Sequence, residues 1–504
     1  MKINLNVDVH HLTRVEGHGN ILVKVEDGEV REARWDVVET PRFFEAMLRG
    51  KHYTSAGILT ARICGICSIG HCLASIRATE NAFGVVIPET AAKLRLLAKH
   101  GETLQSHVLH LFFLAAPDFL GLPSVLPLVG KDPKAFDLAR RLKSLAGHLF
   151  SAVASSSTPP VSARTAKAAL KLDSLKRPAT RAEIEKSLLN LATSIAPESL
   201  GLPSVIDLAD LNPEVINIAR RLKSLGNRIC DTVAGRTTHP VSLQVGGVAA
   251  MPDKDKLLAL RDELERSVDD LAATAELFST LTIPNFVRET EFVSLKGEGD
   301  YPFIGGRLVS SDGVEKAESE YLAMTNEYVD DNNTSKWCKL SRQSFAVGAL
   351  ARFNNNYRFL QPEASKLASQ LGFSPVCHNP FMNNVAQLIE SVHVVYDMIS
   401  LIDDLVKTGS DETMAPVTPK AGEGVGAVEV PRGILYHHYK YDKEGRIVQA
   451  NCIIPTTQNN ANIHYDMKAL AKQFAVEGMT DSQLELLCSM LVRAYDPCIS
   501  CSVH

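Results

Sequence analysis

RICGICSIGHCLAS, residues 62–75, holds two cysteines three positions apart, Cys64 and Cys67; a second such pair, Cys498 and Cys501, stands in DPCISCSVH at 496–504. A CxxC loop lets two thiolates converge on one metal. Two loops together make a four-sulfur site of the kind that soft or borderline metals prefer: zinc, nickel, copper(I) or iron. On spacing alone a structural zinc is the commoner outcome. A zinc knuckle, however, joins nearby pairs within one small loop-rich unit, whereas these pairs lie near opposite ends of the chain. A site assembled that way sits at the centre of a fold. Arg62, His71, Asp496 and His504 crowd the same two segments, and acids and bases around a central metal mark a catalytic site. Terminal segments are ordinarily the least ordered part of a domain, so one carrying two cysteines and His504 is expected to be pinned.

The rest of the chain suits a globular body around such a site. Its 504 residues are 45% hydrophobic and 22% charged, enough to bury a large core without disulfide staples. With 53 basic against 58 acidic side chains the net charge is −5, which argues against nucleic acid or an anionic membrane as partner. No uninterrupted run of about 18 apolar residues suggests a membrane span, and MKINLNVDVHHLTRVEGHGN lacks the basic-then-apolar order of a signal peptide. The 10 cysteines are too sparse for a disulfide scaffold. Cys72, Cys230, Cys338, Cys377 and Cys488 are singletons and read as small buried hydrophobes. No further cysteine cluster offers a site for an iron–sulfur cluster in this chain, and no GxGxxG in a strand–helix context offers one for nicotinamide or flavin.

The fold class is mostly α with small β elements (α+β). Residues 21–37 alternate apolar and polar on both sides of Asp27-Gly28, a hairpin signature. PRFFEAMLRG (41–50) predicts a short helix, and apolar residues recur at helical spacing over 63–83 and 90–116. LLALRDELERSVDDLAATAELFSTL (257–281) and NVAQLIESVHVVYDMISLIDDLVK (384–407) are long amphipathic helices, and the span 84–410 reads as a helical body. A strand pair follows at 433–454, turning at Lys443-Glu444-Gly445, and then a C-terminal helix and metal-binding terminus over 481–504. LGLPSV occurs at 120–125 and 200–205, and ARRLKSL at 139–145 and 219–225, both at an offset of 80. This partial repeat, within 120–145 and 200–225, is expected to extend a helical layer.

RVEGHGN (14–20), RICGICSIGHCLAS and DPCISCSVH closely resemble the signatures of the large subunit of nickel–iron hydrogenases, and HVLHLFFLAAPD (107–118), HPVSLQVGG (239–247) and VPRG (430–433) match between them. The resemblance implies a single large-subunit unit over 1–504, with a central long-helix bundle. It implies a nickel–iron centre whose iron carries carbonyl and cyanide ligands, with Cys64, Cys67, Cys498 and Cys501 on nickel and Cys67 and Cys501 bridging to iron. Cys64 and Cys498 would be terminal on nickel, and Glu16, in RVEGH, would relay protons between the terminal nickel thiolate and solvent. Taken alone, Glu16 is as well read as an N-capping acid, since it follows Thr13 by three. Glu45, otherwise an ordinary helix acid, would hold a magnesium ion with His504 and the main-chain carbonyl of Cys452. Arg432 would overhang the metals with Pro431, oriented by Asp118 and Asp496. His71 would donate to a bridging sulfur or a diatomic ligand. His107, His110 and His239 match motifs without an assigned role.

The resemblance further implies reversible conversion, H2 ⇌ 2H+ + 2e−, with electrons leaving through an iron–sulfur small subunit and further diaphorase-type or ferredoxin-linked subunits. The ending DPCISCSVH resembles the mature form of these subunits and the cytoplasmic branch coupled to NAD(P), a deazaflavin or ferredoxin. Three rivals share parts of this pattern: a zinc-stabilised scaffold, a complex-I-like subunit of the same fold without metal, and a hydrogen sensor.

Overall fold

In the computed structural model, which describes residues 3–120 and 213–504, the alternation around Asp27-Gly28 becomes two antiparallel strands, Gly19–Glu26 and Glu29–Val37. Both turn residues take positive φ, 54° and 81°, as a tight hairpin turn with the right-handed strand twist requires. A third strand, Leu5–Val9, pairs on the outer side of Gly19–Glu26. Ile21, Val23, Val25, Ala33, Trp35 and Val37 share the buried face. That face packs on the helix Pro455–Phe474, where the Trp35 indole donates to Asn460 Oδ1 at 3.2 Å.

The chain divides into two compact units: residues 1–115 with 217–504, and 116–216. Of the four repeat blocks, 120–125, 139–145 and 200–205 fall almost wholly outside the described residues, whereas ARRLKSL at 219–225 lies in the helix Pro213–Ala234, within the first unit.

In the first unit the long helices Glu89–Val108, Lys254–Ser279 and Asn383–Thr408 pack together. Asp253 caps the second by accepting from the Asp255 and Lys256 amides, satisfying donors that a helix start leaves open. Asn383–Thr408 is buried all round from Asn383 to Val395; beyond that only Met398, Ile402 and Leu405 are buried, so it passes from core to surface along its length. Together with the preceding turn, from Pro380, it is long and apolar enough to cross a membrane, but 72% of that window is buried inside the protein. After Val108 the backbone widens into a π-helix, Leu109–Ala115.

The span 84–410 is not uniformly helical. Glu315–Lys316, Arg307–Ser310, Glu291–Lys296 and Phe345–Ala346 form a four-stranded sheet in that order, across a stretch where Gly299, Gly305, Gly306 and Gly313 sit at positive φ, conformations closed to a helix. The strand pair at 433–454 gains a third member: Gly422–Val430, Gly433–Tyr441 and Ile447–Ile453 form one antiparallel sheet. The helix Ser68–Phe83 lies directly on it. A Cβ on Gly422, Gly424 or Gly426 would stand 2.4, 2.2 or 2.2 Å from the carbonyl oxygens of Ala82, Ala78 and Ala74. Glycine every second residue on a strand thus meets alanine every fourth residue on a helix, and backbone rests on backbone. This seats Cys67, the residue just before the helix, against the sheet that carries Arg432.

Candidate metal centre

Cys64 lies in the turn before Ser68–Phe83 and Cys67 is that helix's N-cap; Cys498 is the N-cap of the short helix Ile499–Ser502, which contains Cys501. The Ile66 and Cys67 amides point at Cys64 Sγ, at 3.3 and 3.5 Å. Cys64 and Cys498, 434 residues apart, bring their sulfurs to 3.5 Å. Cys67 and Cys501 stand at 3.9 Å and Cys498 and Cys501 at 2.6 Å. All four are buried and none is in a disulfide.

This donor set fits a metal. Bonds of about 2.3 Å to one tetrahedral ion put sulfurs about 3.8 Å apart, near two of the observed separations. Hydrogen bonds from Cys498, then Cys501 and Cys67, hold the Cys64 thiol well below its usual range, whereas burial pushes Cys498 and Cys501 well up. Four sulfurs in one dry pocket repel one another as anions, so full ionisation calls for a multivalent cation among them.

Arg432 is the charge at hand. It occupies the two-residue turn between Val430 and Gly433, which are paired, and it is 3% exposed. Its Nε donates to the Asp496 carbonyl at 2.7 Å and its Nη2 to Asp496 Oδ1 at 2.8 Å. Burial works against its charge; Asp496 and then the sulfurs of Cys498, Cys67 and Cys64 outweigh that and hold its pKa well above the arginine value. Among the described residues Nη1, which is buried, has no partner, leaving a donor available beside the sulfurs. Gln387 secures the other Asp496 oxygen at 3.2 Å. Of the two aspartates expected beside Arg432, Asp496 is joined to it in the first unit. Asp118 belongs to the second, where it is buried on Ala116–Leu120.

Glu16 reaches the centre from the N-terminal loop. Its Oε2 accepts from Cys498 Sγ at 3.1 Å and from the Ser500 amide at 3.0 Å, and its Oε1 accepts from Ser500 Oγ. Its carbonyl takes the Ile499 amide at 2.9 Å. Close approach depends on Gly17, at φ 87°, where a Cβ would come within 2.7 Å of Ile499 Cβ and 2.8 Å of Ser500 N. Glu16 is half-buried rather than fully enclosed, so its carboxylate spans from sulfur toward solvent. The terminal segment is pinned as expected: the Arg42 amide donates to Val503 O at 2.9 Å, and Arg42 Nη2 donates to Ser500 O at 2.5 Å and to Ile63 O at 2.7 Å.

Glu45, Cys452 and His504 form a second group, their ligand atoms within 4.8 Å of one another. Burial alone would raise the Glu45 pKa; the His504 ring, and then the Cys452 amide, hold it below the usual value. The Cys452 N–H donates to Glu45 Oε1 at 2.7 Å. The Cys452 thiol is pushed well up by burial and stays protonated, a poor donor for a hard ion. His504 Nε2 stands 3.6 Å from Glu45.

The buried His71 ring meets His437 through Nδ1, 3.2 Å from His437 Nε2. His437 continues to the Tyr439 hydroxyl at 2.6 Å. Burial lowers the His71 pKa to about 4, so the ring is neutral at pH 7. Sequence reasoning missed Ser500, Gln387 and His437, which carry no chemical signature of their own and matter only through the partners that folding supplies.

A family model described as nickel-dependent hydrogenase matches residues 42–153 and 307–504, and a HoxL-like model matches 6–40. The chain is 29% identical to sulfhydrogenase 1 subunit alpha of Pyrococcus furiosus, over 99% of this chain and 98% of that one. It is 26% identical to the NAD-reducing hydrogenase HoxS subunit beta of Cupriavidus necator, over 98% and 93%. A crystal structure of an NAD+-reducing [NiFe]-hydrogenase in the H2-reduced state superposes with a TM-score of 0.77 at 26% identity, covering 99% of each chain.

Proposed function

This chain belongs to the nickel-dependent hydrogenase family, and on that footing we propose how its residues serve the reversible reaction H2 ⇌ 2H+ + 2e−. It is the catalytic subunit of a hydrogenase, an oxidoreductase acting on H2. The observation that carries the assignment of roles is the meeting of four free, buried sulfurs with one half-buried carboxylate.

Cys64, Cys67, Cys498 and Cys501 would hold nickel, with Cys67 and Cys501 shared by an iron bearing carbonyl and cyanide ligands. When bound, that group accepts the electron pair released as H2 is split heterolytically. The chain's own residues handle the proton. Cys498 Sγ takes it and passes it across 3.1 Å to Glu16, which Ser500 holds through its amide and hydroxyl. Arg432 faces the site with a free N–H, suited to the nitrogen of a cyanide, and its burial excludes water on that side. Magnesium would sit with Glu45 and His504, fastening the terminal segment; one carboxylate, one imidazole and waters suit a hard ion that keeps much of its hydration.

Partner subunits follow from the multisubunit relatives. The reading specifies an iron–sulfur small subunit, then a diaphorase-type or ferredoxin-linked module, in the cytoplasm. Its support is the likeness to subunits of multisubunit hydrogenases, an NAD-reducing one among them. A zinc scaffold or a metal-free complex-I-like subunit is not favoured, since the four thiols remain intact beside an acid and a cationic donor.

The test is metal analysis of the purified complex with infrared spectroscopy. Nickel and iron in equal amounts, carbonyl and cyanide bands, and H2-dependent dye reduction support the reading. Zinc alone, or nickel and iron with no such bands, overturns it. Turnover at rates well above those of a sensor separates enzyme from sensor.

A further inference from the structure

The turn that carries Arg432 is held from behind by a second arginine. Arg352, on the helix Ala349–Asn356, is 0% exposed. A guanidinium has five N–H donors in a rigid fork, and each finds an acceptor here. Nε and Nη2 grip Glu390 Oε1 and Oε2, both at 2.7 Å. Nη1 donates to Glu429 Oε2 and to the Val430 carbonyl, both at 2.9 Å. Nη2 also donates to the Pro431 carbonyl at 3.2 Å. Two of the five bonds therefore fall on the two carbonyls immediately before Arg432.

The anchors are themselves anchored. Glu390, on the buried part of Asn383–Thr408, accepts from the Tyr301 hydroxyl at 2.6 Å and meets His107 Nε2 at 2.8 Å. Glu429 accepts the Leu295 amide at 2.8 Å, tying the turn to the four-stranded sheet. Arg352, Glu390 and Glu429 have fully buried side chains. Removing such charges from water costs several kcal/mol per ion, and hydrophobic residues of similar volume commonly serve stability as well. What they would not supply is a fork that grips two successive carbonyls of a turn.

We propose that Arg352, braced by Glu390 and Glu429, is a positioning residue for Arg432: it fixes the Val430–Pro431 backbone and thereby the place of the Arg432 guanidinium beside the four sulfurs. This rests on the reading of Arg432 as the residue that faces the metal pair. Lysine at 352 keeps the charge but offers three rotatable donors and no fork, so it loosens the turn without leaving the Glu390 carboxylate unpaired.

The experiment is a double-mutant cycle on the purified complex with R352K, R432K and R352K/R432K. Nickel and iron content, H2 oxidation rate, infrared band positions, and hydrogen–deuterium exchange of peptides spanning 426–435 are read for each. R352K is expected to keep its metals, speed exchange in that peptide, shift the diatomic-ligand bands, and slow turnover by about tenfold to a hundredfold. In the R432K background it should slow turnover no further, because residues acting as a unit are not additive. Multiplying effects, unchanged bands or unchanged exchange would overturn the proposal. Should R352K not fold, E429Q, which keeps the shape of the brace, is put through the same cycle with the same expectations. If the wild type binds nickel and iron but lacks the diatomic bands and H2 turnover, the functional reading falls; faster exchange at 426–435 in R352K then still decides whether the clamp exists.

Discussion

A carboxylate oxygen of Glu16 accepts a hydrogen bond from the Cys498 sulfur at 3.1 Å, although the two residues are 482 positions apart. The contact joins a proton-bearing sulfur to an acid that spans from the metal centre toward solvent, and the side chains around it can be tested one at a time.

Glu16→Gln keeps the shape and one oxygen to accept from Ser500, but its amide can neither take up nor release the proton. Nickel and iron should remain at wild-type levels while H2/D+ exchange falls by roughly a hundredfold or more. Unimpaired exchange would remove Glu16 from the relay.

Cys64→Ser and Cys498→Ser each replace a soft donor by a hard one in a set whose sulfurs stand 3.5 Å apart. Both should abolish H2 oxidation and lower nickel content measured by mass spectrometry. Full nickel occupancy in either variant would contradict a shared four-sulfur site.

Gly424→Val forces a branched side chain into a gap where even a Cβ would lie 2.2 Å from the Ala78 carbonyl. Overpacking of this kind costs about 1–3 kcal/mol or more. It should push the helix Ser68–Phe83 off its sheet, lowering both the melting temperature and metal retention.

Burial, and then the nearby His100, lower the His393 pKa to about 4, against opposing pulls from Asp397 and Glu390. Its Nδ1 accepts the Gln361 amide at 3.1 Å, which requires a neutral nitrogen. An unfolded chain protonates this ring near pH 6.5, so stability is fully present above 6.5 and declines as pH falls toward 4. The loss amounts to about 3 kcal/mol. Asp397, itself held down to about 2, responds only at lower pH. His393→Gln should flatten the fall in melting temperature between pH 6.5 and 4 relative to wild type; His71 shares that window, so part of the slope will remain.

Glu45→Ala removes the acid that faces His504 and takes the Cys452 amide. The terminal segment should then yield faster to carboxypeptidase, and added magnesium, expected to slow digestion of the wild type, should leave the variant's rate unchanged. Equal digestion rates in both proteins would exclude Glu45 as the anchor.

The centre was legible because its residues are chemically rare in such spacing: paired cysteines near both ends, and the motifs around Glu16, Glu45, Arg432 and His504. What supports it was not. Residues 421–430, AGEGVGAVEV, place glycines where strand propensity is weak, and their purpose appears only when Ala74, Ala78 and Ala82 arrive opposite. Arg352, Glu390 and Glu429 lie on two helices and a strand with no shared period; each alone is an ordinary charged residue. The ring of His71 turned to His437 for a similar reason: a neutral imidazole finds its partner across the helix–sheet contact, at a position no local pattern marks. The π-helical widening over Leu109–Ala115 was not legible either, since its sequence continues the helical pattern unbroken.

The distance in sequence between Cys64 and Cys498 has a temporal meaning. A ribosome adds about 5–20 residues per second, so the first thiol pair leaves the exit tunnel on the order of 20–90 s before the second is made. During that interval the nascent polypeptide offers only half of a chelate, open to any thiophilic ion in its surroundings. A four-sulfur site can therefore close on an ion only after Cys498 and Cys501 are made, and an ion caught by the early pair alone would be held by half of the ligands.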